Sequence, residues 1–155
     1  MENNKLNITW TTKPFKELSV EELYIILQLR TAIFVVEQNC VFQDMDGKDQ
    51  YAHHCMGWLN GELVAYARLF DKDTIYEQAS IGRVIVAQNM RKFGVGKKLM
   101  QVAIEESERL FGKQPLKIGA QFYLRRFYES LGFRQVSDIY VEDNIPHIYM
   151  ERPSE

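Results

Sequence analysis

The chain has 155 residues, 46% of them hydrophobic, and its 19 Lys and Arg against 21 Asp and Glu leave a net charge of −2. That size and apolar content predict a single domain spanning residues 1–155, and the near-neutral balance offers no basic footprint for nucleic acid or for an anionic membrane surface. The first ten residues lack an apolar signal region, the apolar runs at 24–27 and 32–36 are too short to span a bilayer, and two thiols make no disulfide framework. The expectation is a cytoplasmic protein with Cys40 and Cys55 reduced.

Residues 6–12 alternate apolar and polar side chains around Leu6, Ile8 and Trp10 and read as a first strand ended by Lys13-Pro14. Ser19 followed by Glu22 is a capping-box start. The helix it opens carries Val20, Leu23, Leu27 and Phe34 on one face, broadened by Ile26, Ile33 and Val36, so broad burial and a break near Thr31 are expected. Residues 39–49 have no periodicity and form a loop. The acids of that loop miss the calcium register: with Asp44 first, Lys48 takes the fifth position, Asp49 the glycine position and Cys55 the place of the bidentate glutamate. Cys40, His53, His54 and Cys55 lack the paired spacing of a zinc site, and no metal is expected.

Residues 52–59 and 62–70 flank Asn60-Gly61, whose tolerance of positive φ suits a two-residue hairpin. A charged connection then leads to a strand at 81–86, completing an antiparallel meander. In the helix that follows, Val95, Leu99, Val102 and Ala103 recur at helical spacing as far as about Leu110, and a short buried strand comes at 116–120. Strand, helix and strand imply a parallel pair with a right-handed crossover. Residues 122–131 form a second short helix stopped at Gly132, and 133–141 with 147–150 form a last hairpin around Glu142-Asp143-Asn144. Arg68 and Arg83 fall on neighbouring strands, where a buried guanidinium needs a partner; Asp44, Asp46 or Glu37 is preferred to a substrate carboxylate.

The junction after the third strand of the meander carries the chemistry. Arg91-Lys92-Phe93-Gly94-Val95-Gly96-Lys97-Lys98 leads from strand to helix, where the first N–H groups lack internal partners and the glycines let an anion approach the backbone. A dinucleotide fingerprint is excluded because Leu99 occupies the third small position and no acid stands about 20 residues on. A P-loop is excluded because Lys98 replaces the Ser or Thr after Gly96-Lys97 and Arg91 stands where its first glycine belongs. Arg-x-x-Gly-x-Gly at a strand end resembles the pyrophosphate loop of the GNAT superfamily of N-acetyltransferases.

Gln121 through Phe133, ending Phe127-Tyr128-Glu129-Ser130-Leu131-Gly132-Phe133, is similar to that superfamily's second motif. Phe34-Val35-Val36-Glu37-Gln38-Asn39-Cys40, Asp44-Met45-Asp46-Gly47, Tyr66-Ala67-Arg68, Gly119-Ala120-Gln121 and Ile145-Pro146-His147-Ile148 look like the ElaA branch. Gln88, Lys92 and Gln121 depart from the superfamily's usual proline, small residue and asparagine. The resemblance implies a GNAT-like mixed α/β fold, with a mostly antiparallel central sheet, a splayed parallel strand pair and helices on both faces. It also implies direct transfer of an acetyl group from acetyl-CoA to a small-molecule or peptide amine, with a homodimer open to it.

In that picture acetyl-CoA lies along Val84, Ile85 and Val86, in the cradle formed by Arg91, Lys92, Phe93, Gly94, Val95, Gly96 and Lys97, and beside Gln121. An N–H near Ile85 or Val86 faces the thioester carbonyl. Tyr128 matches the superfamily tyrosine that protonates the leaving thiolate. An alkyl ammonium of pKa about 10.4 must lose a proton on attack, and His147, Glu37, His54 and Glu142 are the candidate bases, His147 foremost. The alternatives are a non-catalytic acyl-CoA sensor and an interaction domain presenting Trp10 and Trp58.

Overall fold

The computed structural model describes residues 6–154. Its strands are β1 (Thr9–Pro14), β2 (His53–Leu59), β3 (Glu62–Phe70), β4 (Ala79–Val86), β5 (Leu116–Gln121), β6 (Arg134–Gln135), β7 (Tyr140–Glu142) and β8 (Ile145–Arg152). They form one sheet in the order β1-β2-β3-β4-β5-β8-β6, with β7 also on β8, and every pair is antiparallel except β4–β5. The meander follows the expected order, and Asn60 and Gly61 take φ of 52° and 81° in its hairpin turn. β1 runs past its expected end, with Pro14 opposite His53. An edge strand tolerates a residue that cannot donate to a ladder.

Ser19 caps α1 (Val20–Arg30) in both directions: Glu22 N–H donates to Ser19 Oγ at 3.0 Å, and Ser19 N–H donates to Glu22 Oε1 at 2.9 Å. Ser19→Ala is expected to lower the unfolding free energy by about 1 kcal/mol, read as a shifted denaturant midpoint at constant m-value. At Thr31, where a break is expected, the α-helix passes into a seven-residue π-helix, Thr31–Glu37. Broad burial of this segment is overturned: Val20 and Val36 are 83% and 70% exposed, and the buried line is Ile26, Arg30 and Ile33. With a charged residue at its centre, that line is invisible to a count of apolar positions.

Sheet alternation sends Met56, Tyr66 and Ile85 to the α1 face, where they meet Ile26 and Ile33. Cys55, Ala65, Ala67 and Leu69 go to the other face, against Leu99, Met100, Ala103 and Ile104 of α2 (Val95–Phe111) and Tyr128 of α3 (Arg125–Glu129). Helices therefore cover both faces. The expected strand at 133–141 is instead two short pieces, because the Tyr149 N–H donates to Ser137 Oγ at 2.9 Å where a ladder carbonyl would otherwise accept. β7 and β8 meet at Asp143 and Asn144, with φ of 52° and 64°, the pair of left-handed residues a tight hairpin requires.

Candidate active site

β4 and β5 pair only at Ala79–Leu116 and Ser80–Lys117 and then diverge. The divergence has a local cause in β4, where Arg83 and Val84 together oppose the single residue Ala67 of β3 and Arg83 takes φ 49°. Such a bulge bends its strand and adds twist. The gap it opens is a cleft of about 400 Å³, bounded by β4, β5, α3, the π-helix and the β7–β8 turn. Within it the β5-facing edge of β4 is free of ladder partners.

One backbone group at that edge can be identified. Ala87 N–H donates to Val64 O at 2.8 Å, toward β3. Successive residues of a strand direct their N–H and C=O to opposite edges, so those of Val86 face the cleft, and Arg91 Nε donates to the Val86 carbonyl at 3.2 Å. Of the two amides considered from sequence, geometry selects Val86 over Ile85. Immediately beyond, Gly94 caps α2 with φ 71° and no side-chain cap, leaving the first N–H groups of α2 open. The stretch before it is a short 3-10 helix, Gln88–Phe93, anchored by buried Met90.

Val84, Ile85, Val86, Arg91, Gly96 and Gln121 line the cleft. Lys92, Phe93 and Lys97 are exposed on the adjoining turn, while Val95 is 2% exposed, its side chain held in the core. The Arg91 guanidinium is engaged by Glu37, at 2.5 Å from Nη1 and 2.9 Å from Nη2. That hydrogen bond, against slight desolvation and with the help of the Arg91 charge, holds the Glu37 carboxyl below its ordinary range, so Glu37 is a poor base.

Tyr128 and His147 reach the same cleft from α3 and β8. Tyr128 is 7% exposed, edge-on to Phe127 and Phe133 at 5.1 and 5.9 Å, and burial, helped by Tyr123, pushes its phenol pKa up. His147 Nδ1 lies 2.7 Å from the carbonyl of Ile145. A carbonyl only accepts, so Nδ1 carries the proton and the lone pair of the neutral ring is on Nε2. His54, another candidate base, is withdrawn: it is fully buried, with Nε2 donating to Asp49 O at 2.9 Å and Nδ1 accepting from Tyr66 at 2.6 Å, away from the cleft.

The loop at 39–49 is held to the sheet by charge. Arg68 Nη2 donates to Asp46 at 3.0 Å and Arg83 Nε to Asp44 at 2.7 Å, the internal pairing expected from sequence. The network's third member, Arg30, is not among the arginines expected from sequence to pair; Leu29-Arg30 shares in the ElaA-like resemblance, but nothing in its sequence surroundings points to its partners. It is 0% exposed and donates to Asp44 Oδ2 at 2.7 Å and Asp49 Oδ1 at 2.6 Å. Because Arg83 sits in the bulge, Asp44 ties the loop directly to the strand that opens the cleft. Asp44 and Asp49 are thus committed to arginines, and among the described residues no group of three or more His, Cys, Asp or Glu is arranged to hold a metal ion.

A sheet split along its parallel pair, with an uncapped helix N-terminus at one end of the split and a free strand amide within it, is an arrangement able to hold an anionic group at the one and a carbonyl oxygen at the other. The chain belongs to the GNAT acetyltransferase family: the profile described as "Acetyltransferase (GNAT) domain" matches residues 18–153. It falls in the ElaA-like branch, being 48% identical over 147 residues to Protein ElaA of Escherichia coli strain K12, across 94% of this chain and 96% of that one. The crystal structure of Escherichia coli ElaA superposes with a TM-score of 0.88 at 47% identity, over 94% of this chain and 99% of that one. An acyl-CoA N-acyltransferase from Pseudomonas aeruginosa superposes with a TM-score of 0.90 at 43% identity, over the same shares.

Proposed function

We propose that the chain acts as one N-acetyltransferase domain that moves the acetyl group of acetyl-CoA directly to an amine of a small molecule or peptide. The observation that carries this reading is the Val86 amide, free and facing a cleft that also receives Tyr128 and His147. The open amides of residues 94–97 hold the pyrophosphate, and Val84, Ile85 and Gln121 flank the pantetheine arm. The Val86 N–H stabilises the oxyanion that forms when the amine attacks the thioester. His147 Nε2 takes the proton the amine loses, and Tyr128 returns one to the departing thiolate.

Direct transfer fits the cysteines. Cys55 is 0% exposed, and burial pushes its thiol up to about 12. Cys40 donates its thiol to the Asp143 carbonyl at 3.4 Å. The Cys55 thiol is therefore not an activated nucleophile, and the Cys40 hydrogen is engaged by a carbonyl.

Binding is tested at Gly96. A Cβ there would meet Val86 Cγ2 at 3.8 Å and Phe127 Cζ at 3.9 Å, ordinary contacts, so the fold itself does not demand glycine and larger side chains grow into the cleft. Acetyl-CoA at 100 times its Kd stabilises the native state by about 2.7 kcal/mol, a rise in melting temperature of several degrees. Gly96→Glu is expected to fold normally and lose that rise, since it adds bulk and negative charge to the donor end. An unchanged rise places the donor elsewhere. Thiol release with an amine panel then tests transfer, and donor binding without release favours the sensor.

A further inference from the structure

We infer that the acceptor is a small aliphatic amine bearing a second positive charge, recognised by Glu142 and Asp143; this rests on the transferase reading above. The ionisable residues lining the cleft include Glu37, Arg83, Arg91, Glu142, Asp143 and His147. Both arginines are neutralised internally, Arg83 by Asp44 and Asp46 and Arg91 by Glu37. Glu142 and Asp143 are exposed and have no ion-pair partner among the described residues. The lysines of the glycine loop do not line the cleft, and Lys117 rests over the rings of Tyr76 and Tyr149, at 5.0 and 4.7 Å. The acceptor end therefore offers uncompensated negative charge and no free cation for an acceptor's carboxylate.

The geometry places that charge beside the proposed base. Tyr140 pairs with His147 across the β7–β8 ladder and stacks on its ring at 5.7 Å. Strand alternation puts Glu142 on the same face as Tyr140, about 7 Å further along, roughly the reach of a four- or five-carbon chain. The turn that carries the acids is held from across the cleft, where Cys40 Sγ donates to the Asp143 carbonyl. Phe34, Phe42 and Ile145 supply the apolar wall an alkyl chain needs. An amine at His147 thus extends its far end toward Glu142 and Asp143.

The test uses the full chain, acetyl-CoA and three matched primary amines: pentylamine, 1,5-diaminopentane and 5-aminopentanoate, with thiol release as the readout. An exposed ion pair is worth up to about fivefold in binding, so two carboxylates together give the diamine a preference over pentylamine of up to about 25-fold in kcat/KM. The anionic amine is the poorest, and the preference shrinks as salt is raised. In the Glu142→Gln, Asp143→Asn double variant the ratio of diamine to pentylamine, counted per amine group, falls toward one. Equal or better turnover of pentylamine or 5-aminopentanoate by the unmodified protein overturns the inference and leaves the transferase standing. A loss in the double variant shared equally by all three amines assigns these residues another role and also overturns it. Donor binding with no thiol release from any amine overturns the transferase reading, and this inference with it.

Discussion

Tyr128→Phe lowers kcat by on the order of 10²-fold or more and leaves the affinity for acetyl-CoA unchanged. The expectation depends on how the ring is held. Phe127 and Phe133 pack edge-on against it, and it is 7% exposed, so a phenylalanine fills the same space without a cavity. Only the hydroxyl is lost. Burial raises the phenol's pKa further above neutrality, which keeps the proton on the oxygen across the working pH range while making the phenol a weaker acid. The departing thiolate needs that proton only as the tetrahedral intermediate collapses, so the loss appears in kcat and not in donor binding. Steady-state kinetics with the best amine, beside a separate titration of the donor, decide the matter: a Phe variant with unimpaired kcat removes Tyr128 from the mechanism.

Arg30→Ala destabilises the fold by up to about 3–5 kcal/mol, because it removes one of the two arginines that pair each of two buried carboxylates, leaving Asp44 to Arg83 and Asp49 to Arg68. The side chain is 0% exposed, and its loss leaves the buried Asp44 and Asp49 with less compensation. Chemical denaturation measures the effect, with Arg109→Ala as a control expected to change nothing measurable, since the Arg109–Glu106 pair lies on the surface. The network also sets an acid limit. Burial alone would raise the Asp46 and Asp49 carboxyls, but hydrogen bonds and charge from Arg68 and Arg30 prevail and lower both. A carboxyl lowered in the folded state contributes stability that is complete above its unfolded pKa of about 3.9 and is lost as pH falls through the folded value. Acid unfolding of the wild type is therefore expected below about pH 4. A midpoint unmoved by Arg30→Ala would show that the pairs do not hold the loop.

Local chemistry made much of this molecule legible. Ser19 and Glu22 specify a helix start through bonds between residues three apart. Asn60-Gly61 specifies a turn through the φ values its backbone tolerates, and the spacing of Val95, Leu99 and Ala103 specifies the face of α2. The glycine loop and the Tyr128 motif are contiguous stretches, so the family is readable from them, and the need of a buried strand arginine for a carboxylate was enough to anticipate internal pairs for Arg68 and Arg83, with Asp44, Asp46 or Glu37 as candidates, although the pairs span 22 and 39 residues. The remainder depends on residues far apart in the chain. Arg30 is buried because Asp44 and Asp49 arrive 14 and 19 residues later, and its charge hides the true inner line of α1 from an apolar count. The bulge at Arg83 exists only in register with β3, and that register, together with the Ala87–Val64 bond, turns the Val86 amide into the cleft. Glu37 meets Arg91 across 54 residues, and Cys40 meets Asp143 across 103. Such contacts form only once the sheet has brought their elements together, so the glycine loop was written in sequence, while the cleft beside it and the turn at Glu142 and Asp143 were placed by the tertiary structure.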